Sequence, residues 1–99
     1  MDVTWSPKAR LSHARIYQYI FQTNPHEAMR VGRRILEGGN ALALTLTGRM
    51  GRTPRTYEKS LTDINYILQY RLRRGGQEVV ILDVIHSRRN WPAGEPPPA

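Results

Sequence analysis

The sequence predicts an α+β domain in which a short N-terminal strand and an antiparallel helical hairpin pack on a mainly antiparallel sheet of about four strands, in the order β-α-α-β-β-β. The helical part rests on two start signals, since Ser6-Pro7 and Asn24-Pro25 each set a side-chain cap directly before a proline at the first helical position. The sheet rests on three β-prone segments that follow Arg55. A length of 99 residues with 39% hydrophobic content gives a single core, placed in residues 1–92, with residues 93–99 expected as a disordered tail.

Val3-Thr4-Trp5 reads as the first strand and runs straight into the first helix. That helix is predicted from Pro7 to about Gln22: Ala9, His13, Ile16 and Ile20 recur at helical spacing, and Leu11, Tyr17, Tyr19 and Phe21 widen the stripe. The second helix opens at Pro25 with Glu27 in capping-box position, and its apolar positions are Ala28, Val31, Ile35 and Leu36. Gly38-Gly39 is expected to weaken or end it. The short joint between the helices makes them a hairpin.

Residues 45–54 carry Gly48, Gly51 and Pro54 together with Arg49 and Arg52, and Arg55 follows. They read as a basic loop without regular structure. Strand character returns at residues 56–61, at 66–73 with period two, and at 78–86 as a continuous β-branched run, with a hairpin turn at residues 74–77. The last run is apolar on both faces apart from Asp83, so it is expected in the middle of the sheet.

Lys and Arg total 15 against 8 Asp and Glu, a net charge of +7, and all the cations except Lys8 and Lys59 are arginines. Arginine forks pair bidentately with phosphate or carboxylate, so partners rich in those groups are expected. The absence of cysteine excludes disulfides, thiolate zinc sites, iron–sulfur clusters and a cysteine nucleophile. No apolar run reaches the roughly 18 residues of a membrane span and the N-terminus lacks a leader pattern, so the expectation is a cytoplasmic protein with no membrane partner.

The three histidines are not spaced as metal ligands, and neither a metal nor a cofactor is expected. His13 falls on the apolar stripe and reads as a partly buried residue with one hydrogen bond, and His26 as a solvated residue of a helix start. His86 closes the last strand just before Arg88 and Arg89, which supplies a proton shuttle beside cations, the equipment of RNA transesterification. Asp83 is not expected to support His86 as a dyad, because residues three apart on a strand point to opposite faces. Gly48-Arg49-Met50-Gly51 matches the GxxG of the KH nucleic-acid clamp, but it precedes a strand rather than joining two helices. The arginines of the second half, at 49, 52, 55, 71, 73, 74, 88 and 89, predict a basic binding face on the sheet side.

A set of segments carries a resemblance. Trp5-Ser6-Pro7-Lys8-Ala9 opens the first helix, Ile16-Tyr17-Gln18-Tyr19-Ile20 lies within it, and Asn24-Pro25 marks the joint. Gly48-Arg49-Met50-Gly51-Arg52, Tyr66-Ile67-Leu68-Gln69-Tyr70-Arg71 and Val84-Ile85-His86-Ser87-Arg88-Arg89-Asn90-Trp91-Pro92 follow in order. Over roughly residues 3–92 the chain resembles the RelE/ParE superfamily of toxin–antitoxin toxins, most closely the ParE branch of plasmid-stabilisation proteins. Two departures stand out. Thr56-Tyr57-Glu58 occupies the place of a frequent Thr-Arg-Glu, with Arg55 as a possible substitute for the missing arginine, and the lysine-rich patch of RelE-like nucleases is absent.

The resemblance implies a toxin that arrests bacterial growth and forms a hetero-oligomer with a cognate antitoxin. The antitoxin's acidic or amphipathic C-terminal segment is expected over the helical hairpin and a sheet edge, and operator DNA is expected to be reached only through it. Inhibition of DNA gyrase is the favoured activity, with Arg49, Arg52, Arg55, Tyr57, Arg88, Arg89 and Trp91 against the target. Ribosome-dependent mRNA cleavage is the alternative, with His86 moving the proton and Arg71, Arg88 and Arg89 holding the phosphate. A non-toxic nucleic-acid-binding module is the third reading.

Overall fold

A computed structural model describes residues 1–87 of the chain. Strand β1 (Asp2–Trp5) leads into helix α1 (Pro7–Phe21) and helix α2 (Pro25–Asn40), and a single 3-10 turn (Ala41–Ala43) follows. Strands β2 (Arg49–Met50), β3 (Tyr57–Leu61), β4 (Tyr66–Arg73) and β5 (Glu78–His86) complete the fold. The sheet order is β1-β5-β4-β3-β2, with β1 parallel to β5 and the other pairs antiparallel. The expected α+β arrangement is therefore present. The long apolar strand β5 is interior, between β1 and β4, while the middle position belongs to β4.

Both helices start as their caps dictate. The Ser6 side chain accepts from the Ala9 N–H at 3.0 Å, and the Asn24 side chain accepts from the Glu27 N–H at 3.0 Å. Two expectations are corrected by tertiary contacts. Gly38-Gly39 does not stop α2, which runs through both to Asn40. A Cβ at Gly38 would lie 2.7 Å from Leu61 Cδ2, and one at Gly39 would overlap the Trp5 indole. The glycines let the end of the helix lie against β1 and β3, which offsets a helix propensity cost of about 1 kcal/mol each.

The second correction is the fifth strand, β2, inside the segment expected to be irregular. Gly48, at φ +129°, brings the chain alongside β3, where a Cβ would lie 2.7 Å from the Glu58 carbonyl oxygen. The Tyr70 hydroxyl donates to the Thr47 carbonyl at 2.8 Å, and the Gly51 N–H donates to the Thr56 carbonyl at 2.8 Å. The Thr47 carbonyl and strand β2 are thus held by residues of β3 and β4, which local composition does not report.

One face of the sheet is covered by the helices. Ile16, Val31 and Ile35 pack on Leu61, Tyr66, Leu68 and Val84, while Ala9 and Leu42 pack with Tyr70, Val79 and Ile81. Tyr66, Leu68 and Tyr70 alternate along β4, so Ile67, Gln69, Arg71 and Arg73 turn to the open face. A bulge shifts the β4–β5 register from Gln69↔Asp83 to Tyr70↔Ile81 and leaves Leu82 without a cross-strand partner on β4. Near it Asp83 is held against α1, accepting from Ser12 Oγ and lying 3.5 Å from Lys8 Nζ.

Candidate functional site on the open sheet face

The loop that links β2 to β3 is stitched to itself before any side chain reaches outward. Thr56 donates to the Thr53 carbonyl through its N–H at 3.2 Å and through its hydroxyl at 2.6 Å, and its own carbonyl accepts from Gly51. Arg55 sits in the left-handed region at φ 64°, which this closed turn imposes on a residue with a Cβ. Its side chain stands exposed.

Glu58 anchors that loop from the strand. Its side chain is only 3% exposed, although β-sheet alternation turns it to the face without helices. Arg52 donates from Nε at 2.8 Å and from its backbone N–H at 3.1 Å to one carboxylate oxygen, and from Nη2 at 3.4 Å to the other. Arg49, opposite Glu58 in register, brings Nη2 to 3.8 Å. The hydrogen bond from Arg52 holds the Glu58 carboxyl below the usual carboxylate range, outweighing burial, which acts the other way. The guanidinium groups themselves reach solvent, with side-chain exposure of 41% for Arg52 and 68% for Arg49.

A second carboxylate lies at the other end of the same face. Glu78 accepts from Thr4 Oγ1 at 2.8 Å and sits 3.2 Å from Arg73 Nε and 3.9 Å from Arg74 Nε. The Thr4 hydrogen bond leads in lowering its pKa, and the charges of Arg73, Arg74 and Arg71 add to it. Exposed Arg71 lies midway along β4, between Gln69, which faces Glu58, and Arg73, which faces Glu78. Five arginines and two buried carboxylates thus make a polar stripe in two clusters, Arg49 and Arg52 on Glu58 at the β2 edge and Arg73 and Arg74 on Glu78 near the β4–β5 turn, with Arg71 on the strand between them.

The remaining predicted residues go elsewhere. His86 lies opposite Tyr66, with the two rings edge to face at 5.2 Å, and Tyr66 belongs to the helix-covered core. Cross-strand partners share a face, so His86 is on the covered side while Arg71 is on the open side, about 17 Å along the strand at 3.3 Å per residue. The structure does not bring these two together. Tyr57 stacks on Tyr70 at 5.5 Å between centroids, packed against the covered core rather than in the stripe. His13 Nε2 hydrogen-bonds the Gly32 carbonyl at 2.9 Å, and His26 is exposed in the first turn of α2. Gly48-Arg49-Met50-Gly51 forms an edge strand and its approach, not a helix–helix clamp. Arg88, Arg89, Trp91 and the tail at 93–99 lie outside the described residues. Among the described residues no group of three His, Asp or Glu side chains is placed to hold a metal ion, and no helix is long and apolar enough to cross a membrane.

Glu58 is the site residue that the sequence reading missed. A signal was available, because it is the only acid between Glu37 and Asp63 in a stretch carrying Arg49, Arg52, Arg55 and Lys59. A lone carboxylate among cations, on an otherwise alternating strand, is placed to be shared by them.

The family model for the ParE toxin of the type II toxin–antitoxin system parDE matches residues 3–91. The chain belongs to the ParE toxin family. Y4kP of Sinorhizobium fredii, named as a candidate toxin, is 38% identical over 91 residues, spanning 91% of this chain and 92% of that protein. A chain of the chromosomal ParDE toxin–antitoxin system from P. aeruginosa shares the fold, with a TM-score of 0.76 at 23% identity, over 87% of this chain and 95% of that one. This ParE chain is thus the toxin half of a type II pair, and an antitoxin is its partner.

Proposed function

We propose that this ParE toxin arrests growth in the bacterial cytoplasm by inhibiting DNA gyrase, and that the cognate antitoxin, through an acidic or amphipathic C-terminal segment, neutralises it. The observation that supports this activity over RNA cleavage is the separation of His86 from Arg71. Transesterification needs a proton shuttle and a phosphate-holding cation around one scissile bond, and His86 packs edge-on against Tyr66 on the covered side while Arg71 stands on the open side. The fixed loop carrying Arg49, Arg52 and Arg55 needs no proton transfer to act as a docking element. It suits the carboxylates and phosphates of a protein–DNA complex. Arg88, Arg89 and Trp91 follow β5 and are proposed to extend the contact.

Incubating the purified protein with gyrase, ATP and supercoiled plasmid tests this. The expected result is protein-linked linear DNA. A preparation that arrests growth yet yields no linear product, and that cuts mRNA on ribosomes, overturns the gyrase reading in favour of a RelE-type activity.

A further inference from the structure

We propose that Glu58 is the positioning residue of the arginine loop: its buried carboxylate clamps Arg52 and draws Arg49 beside it, so that their outer donors form a ready-made receptor for an oxyanion of the target. The inference rests on the gyrase reading above and adds to it the residue that sets the geometry. A guanidinium carries five donor hydrogens. Arg52 directs only Nε and one side of Nη2 at Glu58, which leaves the Nη1 pair and the second Nη2 hydrogen for a partner. The carboxylate is 3% exposed whereas the Arg52 side chain is 41% exposed, so the fork is held from beneath and open above.

Positioning matters because a free arginine loses rotamer freedom when it binds, and an arginine already fixed in the folded chain does not. Closing the loop does not by itself call for this clamp. The Gly51–Thr56, Thr56–Thr53 and Tyr70–Thr47 hydrogen bonds all hold the segment without Glu58. The Arg52 backbone N–H takes one carboxylate oxygen, but the side-chain contacts from Nε and Nη2 orient the guanidinium and nothing else. The ligand class is an oxyanion, supplied either by a DNA phosphate or by a carboxylate of the gyrase protein.

The gyrase cleavage assay, run on the wild-type chain, Arg52→Ala, Glu58→Gln and the double variant, tests the proposal, with melting temperature and circular dichroism confirming each fold. Glu58→Gln is expected to lower linear product about tenfold, Arg52→Ala to lower it at least as much, and the double variant to be no worse than Arg52→Ala. That non-additivity marks a residue acting through Arg52, which a general loss of stability does not produce. Repeating the comparison as binding to gyrase without DNA separates the sources: a loss seen only with DNA assigns a phosphate, and a loss in both assigns a carboxylate. An Arg52→Ala chain as active as wild type removes the loop from the target site, and the inference fails with it. An impaired Arg52→Ala beside a fully active or hyperactive Glu58→Gln overturns the positioning role alone, as do additive losses. If Glu58→Gln does not fold, Glu58→Asp takes its place, keeping the charge but not the reach. Full activity in that variant overturns the proposal.

Discussion

The two faces of the sheet are built from the same alternating strands and solve burial in different ways. On the covered face Leu68, Ile81 and Val79 are completely or almost completely buried under Ile16, Ile35, Ala9 and Leu42, and stability comes from apolar area. On the open face the buried groups include two carboxylates, and each is matched to arginines whose heads remain in water. The covered face holds the chain together, and the open face arranges charge for display. The two carboxylates also differ. Glu58 organises a loop through three hydrogen bonds from one arginine, whereas Glu78 closes the end of a strand ladder through Thr4 and looser contacts to two arginines.

That contrast makes graded predictions. Leu68→Ala, which removes a fully buried side chain from the covered face, is expected to cost about 2–5 kcal/mol in urea unfolding. Glu58→Gln is expected to cost less, about 1–3 kcal/mol, because an amide keeps part of the hydrogen bonding but not the charge. Glu78→Gln is expected to move the same unfolding midpoint by less again. Arg71→Ala, at an exposed position of the open face, is expected to leave stability within about 0.5 kcal/mol. A reversed order, with Arg71 more costly than Leu68, would mean that the open face is a structural element and not a display.

Acid titration sharpens the same contrast. Both carboxyls are lowered in the folded chain by their partners, so the stability they supply is fully present above the ordinary unfolded value of about 4.3 and is lost as pH falls through the lower folded values. Unfolding midpoints of the wild-type chain are expected to drop over that acid range. In a Glu58→Gln/Glu78→Gln chain the drop is expected to be shallower, whereas Leu68→Ala is expected to shift the whole curve without changing its slope.

The covered face was legible in the sequence because it obeys local rules. Caps at Ser6 and Asn24 gave the helix starts, and the periods of Ala9–Ile20 and of Tyr66–Arg73 gave the packed sides. What escaped was set by contacts between distant residues. The path of α2 through Gly38 and Gly39 depends on Trp5 and Leu61, and the short strand β2 depends on Tyr70 and the Glu58 backbone. The open face was half legible. Arg49, Arg52, Arg55 and Arg71 stand out as charges, but the pairing that orders two of them runs through Glu58, and the face that His86 occupies follows from its register with Tyr66.

If the arginine loop, and not His86, carries the toxicity, gyrase-dependent DNA cleavage by two variants of this ParE toxin separates the two when run beside the wild-type chain. Linear DNA formed at the wild-type level by His86→Ala and lost in Arg49→Ala/Arg52→Ala is the predicted result. Full cleavage by the double arginine variant, or loss of cleavage by a folded His86→Ala chain, would place the activity outside the arginine loop.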